Sequence, residues 1–140
     1  PMLQRAVIPF MQACLERGLE VMLETGGSLD LSEVPAEDRK ILDLKPPASG
    51  EAHRNLWSNL ALPQPWDEVK VVIQDREDYD WALAKVLKYG LHEKHPVLFS
   101  PTFGTLEPVK LAEWLLADAR PIRMQLQLHK FIWDPQARGV

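Results

Sequence analysis

The amino-acid sequence predicts an α/β domain built on a largely parallel sheet. Three observations carry this. Apolar runs of strand length recur near residues 19–24, 40–44, 69–74, 96–100 and 122–129 of the 140. Two longer segments, 76–89 and 107–119, instead space their apolar residues at three and four, the period of a helix packed on one side. The two kinds alternate through the second half, and strands alternating with helices imply parallel pairing with right-handed crossovers.

The first segment, Leu3 to Arg17, reads as a helix because Leu3, Val7, Phe10, Met11, Cys14 and Leu15 recur at helical spacing. Pro9 is expected to kink it, and Gly18 stands where a C-cap glycine belongs. Leu19 to Glu24 alternates as a strand and stops at Thr25-Gly26-Gly27-Ser28. The two glycines either let a ligand approach the backbone or simply form a turn.

Lys40 to Leu44 is the second strand, ending in Asp43-Leu44-Lys45-Pro46-Pro47. Asp43 and Lys45 are two residues apart, so they share one face. Neither proline can donate to a ladder, so the strand ends there. A charged pair at a strand's C-terminal end, followed at once by a rigid loop, is where α/β proteins place ligand chemistry. A surface ion pair at an ordinary junction is the other reading. The stretch from Pro46 to Pro65 has little regular period and room for a short helical segment near Arg54 to Leu60.

Val69 to Gln74 is the strongest strand, with Asp75 as N-cap of the helix Arg76 to Tyr89 and Gly90 closing it. Pro96 to Ser100 is a short strand ending in Ser100-Pro101-Thr102-Phe103-Gly104, and Glu107 to Ala119 is a second amphipathic helix. Ile122 to His129 alternates, with Gln125, Gln127 and His129 on its polar face. Unpaired buried amides there would each cost about 1–3 kcal/mol. That face therefore meets solvent on an edge strand or lines a ligand cavity, as in a barrel. Strand ends in a parallel sheet share one rim, so Glu24 with Thr25, Gly26 and Gly27, Asp43 with Lys45, Gln74, Ser100 with Pro101 and Thr102, and Gln127 with His129 are expected to gather there. Taken singly, Glu24 also suits a helix cap and His129 a structural hydrogen bond. His92 and His95 read as the solvated end of a helix, and Trp57, Trp66, Trp81 and Trp114 as core or cover.

The net charge of −4 argues against a nucleic-acid surface, and no apolar run approaches the roughly 18–20 residues of a membrane span. With one cysteine, Cys14, a disulfide framework or cysteine metal site within the chain is excluded. The N-terminus lacks the basic and apolar regions of a signal peptide. The first residue is Pro1, which leads to the expectation of a start inside a longer parent.

Four blocks carry a resemblance: Glu24-Thr-Gly-Gly, Asp43-Leu-Lys-Pro-Pro-Ala-Ser-Gly-Glu, Asp67-Glu-Val-Lys-Val-Val-Ile-Gln-Asp-Arg-Glu-Asp-Tyr and Gln125-Leu-Gln-Leu-His-Lys-Phe-Ile-Trp. In that order they resemble 7-carboxy-7-deazaguanine synthase, a radical S-adenosylmethionine enzyme family of queuosine biosynthesis. The resemblance runs through nearly the whole chain. It implies a partial TIM-like barrel, here without its N-terminal strands, and a cytoplasmic homodimer with no nucleic-acid or membrane partner. It implies a four-iron–four-sulfur (4Fe-4S) cluster, S-adenosylmethionine and Mg²⁺, and contraction of 6-carboxy-5,6,7,8-tetrahydropterin with release of ammonia.

The family's cluster cysteines, Mg²⁺ ligand and Gly-Gly-Glu motif have no counterpart here. Pro1-Met2-Leu3-Gln4 resembles the continuation of that motif. The expectation is therefore the C-terminal two-thirds of such an enzyme, inactive alone, with poor solubility or self-association. The resemblance assigns Glu24, Asp43, Leu44, Lys45, Ser100, Pro101, Thr102 and Phe103 to S-adenosylmethionine, and Gln127, His129 and Val140 to the substrate. A non-catalytic ligand-binding or dimerisation domain is the alternative. A hydrolase using Glu24 and His129 is a third reading, without a nucleophile elbow or metal-ligand set.

Overall fold

The structure, a computed structural model, describes residues 1–61 and 64–139. Its elements follow the expected order: α1 (Val7–Glu16), β1 (Met22–Thr25), β2 (Arg39–Leu44), three short 3₁₀ turns between Pro47 and Ala61, β3 (Glu68–Ile73), α2 (Arg76–Tyr89), α3 (Leu91–Lys94), β4 (Val97–Pro101), α4 (Pro108–Asp118), β5 (Ile122–Met124) and α5 (His129–Ile132). The sheet is five-stranded, ordered β1-β2-β3-β4-β5, parallel throughout and not closed.

Period two decides which side of the sheet each residue serves. Leu23, Leu42, Leu44, Val69, Val71, Ile73, Val97 and Phe99 point one way and form the core with Met11 of α1, Tyr79, Ala82 and Val86 of α2, and Leu111 of α4. Five of the strand residues, Val69, Val71, Ile73, Val97 and Phe99, are wholly buried. Burying each such side chain is worth about 1.5–3 kcal/mol. Tyr79 meets Phe99 edge-on at 5.7 Å and donates its hydroxyl to Asp118 Oδ2 at 2.5 Å. Trp57 stacks on Tyr89 at 5.4 Å, whereas Trp66 is half exposed and covers little.

Helix α2 has the predicted bounds. Asp75 accepts from the Asp78 N–H, and Gly90, at φ 60°, takes the left-handed cap. Helix α1 is shorter than predicted. Pro9 stands in its first turn, where N–H groups have no intrahelical partner, so the proline is accommodated at the helix start rather than interrupting its interior. At the other end Gly18 N–H donates to Leu15 C=O and Leu19 N–H to Cys14 C=O, the paired bonds of a Schellman cap. Leu19 is thus spent on ending the helix, and β1 begins three residues later than the alternation implied.

The last strand departs most from expectation. Gln125 N–H donates to Phe99 C=O at 2.9 Å, and Met124 is the last paired residue. In this parallel register the next ladder donor would be residue 101, and Pro101 has no N–H. The chain leaves the sheet, turns at Leu126–Leu128 and enters α5. Gln125, Gln127 and His129 therefore do not share a strand face, and His129 opens a short helix instead.

Candidate functional site

The face of the sheet opposite the core is polar across its first three strands. The register sets Glu24 of β1 beside Ile41 of β2, and Ile41 beside Glu68 of β3. One step along, Asp43, Lys70, Leu98 and Arg123 lie in a row across β2 to β5. Lys70 Nζ reaches Glu24 Oε1 at 2.9 Å, and Lys45 Nζ reaches Asp43 Oδ2 at 2.7 Å. Arg39 pairs with Glu68 at the start of β2. Asp43 and Lys45 thus share this face and pair on it, as their two-residue spacing predicts.

Exposure on this face is high at β1 and lowest at β4. The Glu24 side chain is 56% exposed and that of Asp43 14%, while Ser100 on β4 is only 1% exposed. Two oxygens here are buried without a hydrogen-bond partner: Asp43 Oδ1 and Ser100 Oγ. An unpartnered buried polar atom costs roughly 1–3 kcal/mol, so each marks a place where a ligand group is acceptable.

A cleft of about 330 Å³ opens at the C-terminal end of β4, between residues 101–108 and 126–131. Pro101, Phe103, Leu106, Leu126, Gln127 and Phe131 line it, with Phe103 edge-on to Phe131 at 5.4 Å. Its wall is mainly apolar, and the Gln127 amide is one of its polar groups. A larger opening of about 680 Å³ lies at the other end of the strands, lined by Leu19, Met22, Arg39 and Trp66 among others, and holds none of the predicted site residues.

Glu24, Asp43, Lys45 and Ser100 are therefore gathered on one face, and Pro101, Phe103 and Gln127 on one cleft. Leu44 points the other way, 3% exposed in the core, so only its backbone can serve a site. Thr102 is half-buried, donating its N–H to Ile73 C=O. His129 is exposed on α5 and lines neither feature. Val140 lies outside the described residues.

Sequence reasoning missed the residues that fix the rim. Asn59, wholly buried, accepts from Leu31 N–H at 3.1 Å and donates to Gly27 C=O at 3.1 Å and Leu29 C=O at 2.8 Å. Asn55 brackets Lys45, accepting from its N–H at 3.0 Å and donating to its C=O at 2.8 Å. Asp78 accepts from Ala48 N–H and Gln74 N–H, tying the loop after β2 to the start of α2. The only signal was two asparagines in an aperiodic loop. Gly27, at φ 64°, is forced by the turn, since a Cβ there would meet Leu42 Cδ1 at 2.5 Å.

Among the described residues no group of three or more His, Cys, Asp or Glu side chains is placed to hold a metal ion. His95 Nδ1 contacts Gln64 C=O at 3.1 Å, and burial holds its pKa below the ordinary value. Among the described residues no helix is long and apolar enough to cross a membrane.

The chain is an α/β domain whose parallel sheet has an apolar, helix-packed side and a charged opposite face with two orphaned oxygens. No family model matches the chain. It is similar to the 7-carboxy-7-deazaguanine synthase of Chlorobaculum tepidum, 44% identical over 143 residues, covering 100% of this chain and 65% of that protein. The protein of the same name from Koribacter versatilis is 42% identical over 154 residues, covering 100% and 68%. That of Thermoplasma acidophilum is 29% identical over 135 residues, covering 95% and 63%. The chain belongs to the 7-carboxy-7-deazaguanine synthase family, and it spans about two-thirds of the length of these curated relatives.

Proposed function

We propose that the chain forms part of a radical S-adenosylmethionine lyase. In this reading the enzyme converts 6-carboxy-5,6,7,8-tetrahydropterin to 7-carboxy-7-deazaguanine with loss of ammonia, in the cytoplasm, for queuosine biosynthesis. The open sheet is an arc of a partial TIM-like barrel, and its polar face lines the interior. The observation that carries the reading is the pair of orphaned oxygens, Asp43 Oδ1 and Ser100 Oγ, on that face. S-Adenosylmethionine carries an ammonium and two ribose hydroxyls, donors that suit such acceptors.

Asp43 and Ser100 would hold the cofactor directly, with Lys45 neutralising one carboxylate oxygen of Asp43 and Glu24 at the more exposed edge. The Leu44 backbone and the Pro101-Thr102-Phe103 turn form the adjoining rim. When bound, S-adenosylmethionine supplies the radical chemistry of the family. The cleft beside Gln127 suits the flat pterin, with aromatic edges for the ring and an amide for its polar rim. His129 lies on the segment that leads from that cleft toward the C-terminus. The residues present do not fit the 4Fe-4S cluster or Mg²⁺: Cys14, on α1, is the chain's one cysteine, and among the described residues no three His, Cys, Asp or Glu side chains are placed to hold a metal ion. No step of the reaction is therefore assigned through either group here. Homodimer formation is part of the proposal, motivated by the exposed Leu128, Phe131, Ile132 and Trp133 around α5.

The test compares the chain alone with the chain joined to the N-terminal third of the Koribacter versatilis relative. Both are supplied anaerobically with iron, sulfide, Mg²⁺, reductant, S-adenosylmethionine and the pterin. The expected result is product from the fusion and cofactor binding by the chain. A cluster-loaded fusion that yields neither product nor 5′-deoxyadenosine overturns the reading. The lone cysteine favours a second reading, a non-catalytic ligand-binding or dimerisation domain. That reading expects tight cofactor binding with no turnover in either form.

A further inference from the structure

We infer that Asn55 is a positioning residue for the cofactor-facing ion pair, acting through the peptide of Lys45. The inference rests on the proposed S-adenosylmethionine site and names what holds that site in shape.

Lys45 lies one residue past the end of β2, and the pairing of β1 has already stopped at Thr25 opposite Leu42. The two residues that follow, Pro46 and Pro47, have no N–H to give. The Lys45 peptide is therefore the last main-chain donor before Ala48, and Ala48 N–H is taken by Asp78 Oδ1 at 3.0 Å. Asn55 meets both polar groups of that residue: Oδ1 accepts from its N–H at 3.0 Å and Nδ2 donates to its C=O at 2.8 Å. A side-chain amide carries one acceptor and a donor in the geometry of a peptide, so Asn55 acts as a one-residue substitute strand. Its Nδ2 also donates to Ala52 C=O at 3.0 Å, which fixes the amide itself, and the residue is 7% exposed.

What this bracket fixes is the direction of the Lys45 side chain. Its ammonium sits 2.7 Å from Asp43 Oδ2, which occupies that oxygen and leaves Oδ1 as the unpartnered acceptor. If the peptide is released, the ammonium leaves Oδ2 and Asp43 is free to turn. Aspartate at position 55 would keep the acceptor but set a negative oxygen against Lys45 C=O. Alanine would remove both contacts.

Two measurements on the chain test this. The first is selective acylation of lysine amines, read residue by residue by mass spectrometry without any ligand. Asn55→Ala and Asn55→Asp are expected to acylate faster at Lys45, while Lys70, paired with Glu24 on the same face, keeps its rate. The second is calorimetric titration with S-adenosylmethionine. Both variants are expected to bind about tenfold more weakly, equivalent to about 1.4 kcal/mol. Asp67→Asn serves as the structural control. Asp67 is also buried, 1% exposed, and accepts from Lys40 N–H and Gln64 N–H at the other end of the sheet. It should lower the unfolding midpoint and leave both readouts unchanged. In a Lys45→Ala background, Asn55→Ala should weaken binding no further.

An unchanged Lys45 acylation rate in both Asn55 variants overturns the inference. So does a loss of binding in Asp67→Asn equal to that in Asn55→Ala, or an additive loss with Lys45→Ala. A parent chain that shows the acylation contrast but binds no S-adenosylmethionine overturns the cofactor reading instead, and leaves Asn55 as the residue that aims Lys45.

Discussion

Replacing Asn59 with alanine should destabilise the chain by about 2–4 kcal/mol, and the structure says where the loss arises. Asn59 is wholly buried and makes three hydrogen bonds across the loop from Gly27 to Leu31. The three partners do not suffer equally. Leu31 is 3% exposed, so its N–H is stranded, at a cost of roughly 1–3 kcal/mol. Gly27 C=O still accepts from Leu56 N–H at 3.1 Å, and Leu29, 38% exposed, has water within reach. Those two acceptors and the lost amide contacts together add about 1 kcal/mol. Asn59→Asp keeps the acceptor for Leu31 but sets a carboxylate against two carbonyl oxygens. It should be worse than alanine at neutral pH; burial against carbonyls raises its folded-state pKa, so the gap should close as pH falls from that raised value to the ordinary one of about 3.9. Urea unfolding reads both, with the midpoint falling and the slope unchanged. A loss below about 0.5 kcal/mol for Asn59→Ala, the scale of an ordinary surface change, refutes the claim that this side chain clamps the loop.

Ser100→Ala should leave stability within about 0.5 kcal/mol of the parent or raise it, because the hydroxyl is buried without a partner, while S-adenosylmethionine affinity falls. By the same logic the cofactor should raise the parent's unfolding midpoint more than the variant's in thermal melts. Gly27→Ala combines a left-handed φ of 64° with a Cβ 2.5 Å from Leu42 Cδ1. It should cost about 2–4 kcal/mol by denaturant titration, strain and displaced core together. Burial holds the His95 pKa below its ordinary 6.5, so the folded chain takes up this proton less readily than the unfolded chain. The stability it contributes is complete above that ordinary value and is lost as pH falls through the depressed one. His95→Gln should therefore flatten the acid side of the stability profile, and an unchanged profile would count against the burial.

The parts of the fold that were legible in the sequence are those set by local rules. Helix α2 lay between a side-chain cap at Asp75 and a left-handed glycine at 90, both written in residue type. Asp43 and Lys45 fell on one face because a strand repeats every two residues. The failures came where a partner distant in sequence decides. The end of β5 depends on Pro101, the residue opposite it in another strand, so the alternation through Gln125, Gln127 and His129 was a true pattern in a segment with nothing to pair with. Leu19 looked like a strand residue until the Schellman bonds to Cys14 and Leu15 claimed its turn. Asn55, Asn59 and Asp78 carry no periodic signal, because their importance lies in which backbone groups they find after folding.

The two faces of the sheet bear on the site together. Strands in sequential order with parallel pairing leave the helices to pack where the apolar residues are, on the side of Val69, Val71 and Phe99. The opposite side is charged at β1 and β2, yet Leu98 and Ser100 of the same face are 8% and 1% exposed. A purely solvent-facing surface would hydrate the Ser100 hydroxyl, and a second packed layer would not tolerate Lys70, Asp43 and Lys45 in the same rows. A face that is wet at β1 and closed at β4, with acceptors left unmatched where it closes, agrees with the proposed incomplete barrel. In the proposed function, the charges near the opening would steer a polar cofactor inward, and the unmatched oxygens would lie where solvent competition for its donors is least. If the proposed cofactor site holds, Asn55 bears on affinity without touching the cofactor, through the Lys45 peptide.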